Sequence, residues 1–249
     1  MYALSSRSQL INDLPQRKFV HMSQYAQPRS SNSTLVLSNN NRTRRPVVFI
    51  IYYSMYGHVA TLASSIRAGV EYAGCDCRVF QVAETLPDEM LKKMHVPPKN
   101  KDIPIIRPDQ LPEADGFLFG MPTHFGTIPT QIKTLFDACD SHWLSDALIG
   151  KPAGVFFSTA TLGDGQETTA LSCVSFFVHL GMVFVPLGYR NKLLLNLDEI
   201  HGGSPYGAGT LAGTQGERRV SQLELKIAQT QGIEFGKIVS KLKSTPTHI

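Results

Sequence analysis

The chain has 249 residues, is 42% hydrophobic and carries a formal charge of +4. This length suits one α/β domain with extra segments, or at most two small domains, and the apolar fraction is ordinary for a soluble globular core. No run of about 18 apolar residues occurs, so no transmembrane helix is expected, and the positive charge is confined to one end.

Residues 1–45 hold seven of the Lys/Arg residues and only one acid, Asp13, which leaves 17 basic against 19 acidic residues in the remainder. A core of net −2 lacks the excess positive charge that binds nucleic-acid backbones. The tail is rich in Ser, Asn, Gln and Arg and poor in hydrophobic periodicity, and it reads as disordered. Its basic, acid-poor composition fits a mitochondrial presequence; a plain unstructured tail, or an upstream start ahead of Met22, fits as well. A secretory signal does not fit, because no apolar stretch follows the charges. The tail is therefore taken as 1–45 and the folded domain as 46–249.

Residues 47–53 (VVFIIYY) form a continuous apolar run, as expected of a central parallel strand buried on both faces. Residues 58–73 follow with Val59, Leu62, Ala63, Ile66 and Val70 on one side, a helical period, and Gly74 marks its stop. Residues 77–82 alternate as a second strand, and a Pro/Lys-rich loop covers 86–112. Residues 116–121 are the third strand, 130–139 a helix, 153–158 the fourth strand and 167–180 another helix. A fifth strand begins within 181–186, and 221–242 is the closing helix. Such alternation implies right-handed crossovers and a doubly wound, flavodoxin-like parallel sheet of five strands in the order 2-1-3-4-5, with helices on both faces. Cys75, Cys77, Cys139 and Cys173 show no metal spacing and read as reduced thiols.

In such sheets ligands bind beyond the carboxyl ends of the strands. The first loop there is Ser54, Met55, Tyr56, Gly57, His58 and Val59. Hydroxyl and backbone N–H donors at a helix N-terminus can wrap a phosphate without Lys or Arg; alternatively Ser54 is only a helix cap. The second is Pro122, Thr123, His124, Phe125 and Gly126, suited to the edge of a flavin ring, or else a plain turn. The third is Ser158, Thr159, Ala160, Thr161, Leu162 and Gly163, followed by Asp164, hydroxyl- and glycine-rich at the start of a helix. Three apt loops on successive strands favour a flavin. His58 could reach the phosphate or simply sit at a helix start, and Trp143, the only tryptophan, is by itself as consistent with core or interface.

The segments YYSMYGHV at 52–59, FGMPTHFGTIP at 119–129, STATLGDGQE at 158–167, HLGMVFVPLGY at 179–189 and HGGSPYGAGTLAG at 201–213 resemble the WrbA-type family of FMN-dependent NAD(P)H:quinone oxidoreductases. ETLPDEMLKKMHVPPK at 84–99 looks closest to its fungal members. The resemblance implies FMN, contacted by the three loops and by His179, a homotetramer, and Trp143 near a quinone, with Tyr56 facing the nicotinamide cofactor. It implies ping-pong, two-electron reduction of quinones by NADH or NADPH, with hydride passing through flavin N5, in the cytoplasm or at a membrane periphery. His124 stands where the family has Arg, Ala160 where it has Gly, and Asp164 adds a carboxylate to a Gly-rich loop. Those departures keep open an alternative reading, a flavodoxin-like scaffold with weak turnover. A one-electron carrier is disfavoured, since such carriers tend to be strongly acidic.

Overall fold

The structure is a computed structural model that describes residues 44–244; the expected disordered tail and its presequence reading lie outside the described residues. Strand β1 (Val47–Tyr52) leads into helix α1 (His58–Tyr72) and strand β2 (Asp76–Gln81). Then come α2 (Asp88–Lys93), a 3-10 turn at Pro108–Glu113, β3 (Gly116–Pro122), α3 (Thr130–Asp137) and α4 (Asp140–Leu144). Next are β4 (Pro152–Thr159), α5 (Gln166–His179), β5 (Val183–Phe184), a 3-10 turn at Lys192–Leu195, β6 (Gly209–Leu211) and α6 (Gln222–Ser244). All strand pairs are parallel, in the order β2-β1-β3-β4-β5.

Each strand serves two cores because its side chains alternate in direction. Val47, Phe49 and Ile51 face a cluster with Phe117, Phe119, Phe136 and Phe177 on the α3–α5 side. Val48 and Ile50 face Leu62, Ile66, Ile227 and Phe235 on the α1–α6 side. β1 therefore reads as an unbroken apolar run, every residue of it buried. On the second side α1 and α6 touch backbone to backbone: a Cβ on Gly69 would lie 2.1 Å from the Gln229 carbonyl oxygen, and one on Gly232 2.1 Å from that of Ile66.

The sheet corrects one expectation. Its fifth position is filled by two separate segments. Pro152 and Ala153 of β4 pair with β5, while Phe157, Ser158 and Thr159 pair with β6. Residues 185–208 loop out between them. β6 is three residues, Gly-Thr-Leu, in a glycine-rich stretch, and it is a strand because β4 offers it a partner rather than by its own propensity. The segment expected as loop over 86–112 also holds α2 and the 3-10 turn.

Candidate functional site

The three loops gather at the carboxyl end of the sheet. In the first, the Ser54 hydroxyl accepts the Gly57 N–H at 3.1 Å and the Ala60 N–H at 3.3 Å. Gly57 takes φ of 93°, a left-handed turn open to glycine, and no atom lies within 4 Å of where its Cβ would be. The first turn of α1 holds no acidic side chain. The His58 and Val59 amides, at the positive end of the helix dipole, have no backbone acceptor among the described residues. Val59 can contribute only that amide, because its side chain is in the core, and Met55 packs against the core as well. His58 does sit at the helix start, as the first residue of α1, and its ring turns away from the expected phosphate. Its Nε2 lies 2.7 Å from the Arg218 carbonyl oxygen, so that nitrogen carries the proton and ties the loop to the lead-in of α6. Tyr56 is half-exposed, and its hydroxyl donates to the Met94 carbonyl at 3.0 Å.

In the second loop two expected donors are already used. The Thr123 amide donates to the Ser158 carbonyl, and the His124 amide to that of Thr127, both at 2.9 Å. The Thr123 hydroxyl bonds that of Thr169. Phe125 and Gly126 have φ of 51° and 73°, a tight two-residue turn. Their amides are the donors left, and the Phe125 ring is 94% exposed beside that of His124. Pro122 closes β3.

The third loop is held from within and from behind. The Asp164 carboxylate accepts the Thr161 amide at 2.6 Å and its hydroxyl at 2.8 Å. The Thr161 hydroxyl in particular holds the Asp164 pKa below the usual carboxylate range. Its negative charge is thus spent on its own loop. Ser158 and Thr159 are buried, and the Thr159 hydroxyl donates to the Thr161 carbonyl and accepts from Gln166. Gln166 also donates to the Thr210 carbonyl and accepts the Gly203 amide at 2.8 Å, lashing the loop to β6 and the 185–208 excursion. Between the second and third loops lies a cleft of about 600 Å³ lined by Thr123–Gly126, Ala160, Gly163–Gly165 and Thr168. An adjoining hollow of about 390 Å³ runs along Leu162, Gly163 and the turn at His201–Ser204. These volumes fall in the range of cofactor pockets, and the lining is rich in backbone and hydroxyl groups with the Phe125 and His124 rings and the Asp164 carboxylate at the rim, which fits a flat ring.

Behind the loops sits a residue that sequence reasoning missed. Glu224 is fully buried yet accepts hydrogen bonds from Arg218, Thr210 and the amides of Gly202, Leu211 and Ser221. The visible signal is the spacing Ser221-x-x-Glu224, a capping box: the Glu224 amide also donates to the Ser221 hydroxyl. The Arg218 guanidinium, 2.9 Å away, supplies the counter-charge.

Two predicted site residues lie elsewhere. α5 leads away from the third loop for 14 residues, about 20 Å, and His179 ends it, its Nδ1 against the Ser175 carbonyl. Trp143, 61% exposed on α4, is at that same amino end, where the Gly150 amide meets the Gly181 carbonyl at 2.8 Å. One chain therefore joins the three loops and leaves both of these residues apart from them.

Comparison with known proteins settles the family. A family model described as NADPH-dependent FMN reductase matches residues 48–191. The chain belongs to this family, among its WrbA-type, flavodoxin-like quinone oxidoreductases. It is 51% identical to "Minor allergen Alt a 7" of Alternaria alternata over 79% of this chain and 98% of that protein. It is 50% identical to "Quinone-oxidoreductase QR2" of Triphysaria versicolor, over 80% and 97%. It is equally similar to "NAD(P)H quinone oxidoreductase PST2" of Candida albicans, over 80% and 98%. In fold it matches a flavodoxin, WrbA-like protein from Agrobacterium tumefaciens with a TM-score of 0.54 at 19% identity, covering 79% of this chain and 98% of that one.

Proposed function

We propose that the chain is an FMN-dependent NAD(P)H:quinone oxidoreductase. The observation that carries this is the loop-lined cleft at the carboxyl end of the sheet, with an acid-free helix N-terminus beside it. FMN held there supplies two-electron transfer from the nicotinamide to the quinone. The chain's own part is binding and shaping. The His58 and Val59 amides and the dipole of α1 would hold the phosphate, with Gly57 letting the backbone approach. The Phe125 and Gly126 amides and the Thr161–Gly163 stretch would border the ring. Phe125 and Leu162, exposed at the rim, would shield it from water once a substrate sits down.

Trp143 and His179 can join this cleft only from another copy of the chain. That supports a homotetramer, as does the apolar surface around them: Leu144, Ile149, Val178 and Val183 are all exposed at the same end. No helix among the described residues is long and apolar enough to cross a membrane, consistent with action on quinones from the cytoplasm or a membrane periphery. The second reading, a scaffold that binds FMN with weak turnover, is favoured by one observation: a histidine, His124, stands where the family has Arg, and it has no acidic partner among the described residues. Incubating the purified chain with FMN, desalting it and adding NADH or NADPH with benzoquinone tests both. Retained flavin with rapid turnover supports the reductase, retained flavin without turnover the scaffold, and loss of flavin refutes both.

A further inference from the structure

A second carboxylate, largely withdrawn from water, sits behind the first two loops. Glu84 lies three residues past β2, where the chain leaves the sheet, and its side chain is 18% exposed. It accepts the Tyr53 hydroxyl at 3.1 Å and the Gln131 side-chain amide at 2.8 Å. The Thr85 and Leu86 backbone amides donate to it at 2.9 and 3.2 Å. The Lys99 ammonium stands 3.8 Å away, donates to the Val82 carbonyl at 2.7 Å and lies over the Tyr53 ring. Tyr53 and Gln131 are both buried.

Four donors and a cation around one side chain call for an ionised group that only accepts. Burial works against ionisation, but the bonds from Gln131, Leu86 and Thr85 and the nearby Lys99 outweigh it and hold the Glu84 carboxyl below its usual value. Burial first, and the Glu84 charge next, push the Tyr53 phenol up, so it keeps its proton and donates. Two of the donors belong to the elements that carry the cleft. Tyr53 is the residue before Ser54 and the first loop. Gln131 is in the first turn of α3, into which the second loop leads. Among the described residues no hydrogen bond runs directly from 54–59 to 122–127. Glu84 therefore bridges two loops that do not hold each other, as Glu224 braces β6 and the turn at Gly202 on the other side.

We infer that Glu84 is a positioning residue for the cleft: it fixes the separation of the first and second loops, and with it the grip on a flavin held by phosphate at one and by ring at the other. The grip on flavin rests on the FMN reading above; the fixing of the loops does not.

The test uses the full chain as wild type, Glu84→Gln, Tyr53→Phe and Val239→Ala. Glu84→Gln keeps the shape but sets two N–H donors among the four already there, so at least one bond is lost. Tyr53→Phe removes the link to the first loop alone. Val239→Ala trims the core against the start of β3, far from the loops, and reports what lost packing alone does. Amide hydrogen exchange by NMR on the FMN-free protein reads the loops one by one. In Glu84→Gln the Gly57, Ala60, His124 and Thr127 amides should exchange about tenfold faster, while the Thr161 amide, held by Asp164 in the third loop, keeps its rate. In Tyr53→Phe the change should fall on Gly57 and Ala60. The FMN dissociation constant should rise about tenfold in Glu84→Gln and no more than about twofold in Val239→Ala. Unchanged exchange in the two loops, or equal acceleration at Thr161, overturns the positioning role. Loosened loops with unchanged FMN affinity, or an equal loss in Val239→Ala, overturn the grip. If the wild type binds no FMN, the cofactor reading fails separately and the exchange rates still decide what Glu84 does.

Discussion

At the carboxyl end of the sheet many side-chain polar atoms of the loops are held within the chain, while the His58, Val59, Phe125 and Gly126 amides stay free for a ligand among the described residues. Ser54 folds back on its own loop, His58 reaches Arg218, Asp164 holds Thr161, and Gln166 joins the third loop to β6. At the amino end the surface is apolar and open, with Trp143, Val178, Ile149 and Val183 exposed. The first end gets its shape from hydrogen bonds inside one chain, so it is preorganised for a ligand. The second exposes several large apolar side chains together and is suited to burial against another protein surface. Substitutions should therefore separate: at one end they alter stability and cofactor binding, at the other they alter assembly.

The sharpest way to break this contrast is Glu224→Ala. It strips the partner from a fully buried cluster and leaves Arg218, the Thr210 hydroxyl and three backbone amides without their acceptor. Removing one member of a buried pair costs about 3–5 kcal/mol, so urea unfolding should show a large loss, with FMN retention falling alongside it. Glu224→Gln, which keeps the shape and some of the bonds, should recover part of both. A cluster that tolerates Ala at wild-type stability would mean that the loops are not held from behind.

Next in size is Gly57→Val. The backbone there is left-handed at φ 93°, and a side-chain-bearing residue pays roughly 1–2 kcal/mol for it. Because nothing crowds the site, the penalty is conformational and should appear as a moved loop. FMN affinity, read by quenching of flavin fluorescence, should fall about tenfold or more for a loss of that size. An unchanged affinity would remove the first loop from the phosphate site.

How much of this was readable from residues alone follows the same division. The run at 47–53 announced a doubly buried strand, and its alternation into two cores bears that out. The α1 periodicity placed Val59, Leu62, Ile66 and Val70 in the interior, where they are. The three loops were legible because a parallel sheet puts strand ends together by topology. What escaped depends on partners far away in sequence. His58 bonds a carbonyl 160 positions on. The Thr123 amide is taken by a neighbouring strand's loop. β6 exists through pairing with β4, and Glu224 gathers donors from Gly202, Thr210, Leu211 and Arg218, none of which its own helix supplies. His179 and Trp143 entered through family likeness, which says nothing about which end of the sheet they occupy.

Trp143→Ala sharpens the comparison from the other end. The side chain is largely exposed, so the single chain should lose about 0.5 kcal/mol or less. Its effect should fall on assembly instead: light scattering should report smaller particles than the tetramer proposed for the wild type, and NAD(P)H–quinone turnover should drop more than FMN affinity. Particles of unchanged mass with unchanged turnover would show that the amino end does not build the site.

The smallest expected effect is electrostatic and belongs to the third loop. The Thr161 hydroxyl and amide hold the Asp164 pKa down, and a carboxyl with a depressed folded pKa stabilises the fold above its unfolded value, near 3.9. That contribution is lost as pH falls through the lower folded value. Asp164→Asn should therefore be slightly less stable than wild type from pH 5 to 7, with the two curves converging as the pH drops below about 4. The carboxylate is on the cleft's rim, so the same variant also measures what its charge does to an anionic ligand. If Asp164 is fully absorbed by Thr161, FMN affinity at pH 7 stays the same or falls slightly as the loop loosens. A gain in affinity would mean that the carboxylate repels the cofactor despite its bonds, and that this end of the sheet is less fully neutralised than its hydrogen bonds imply.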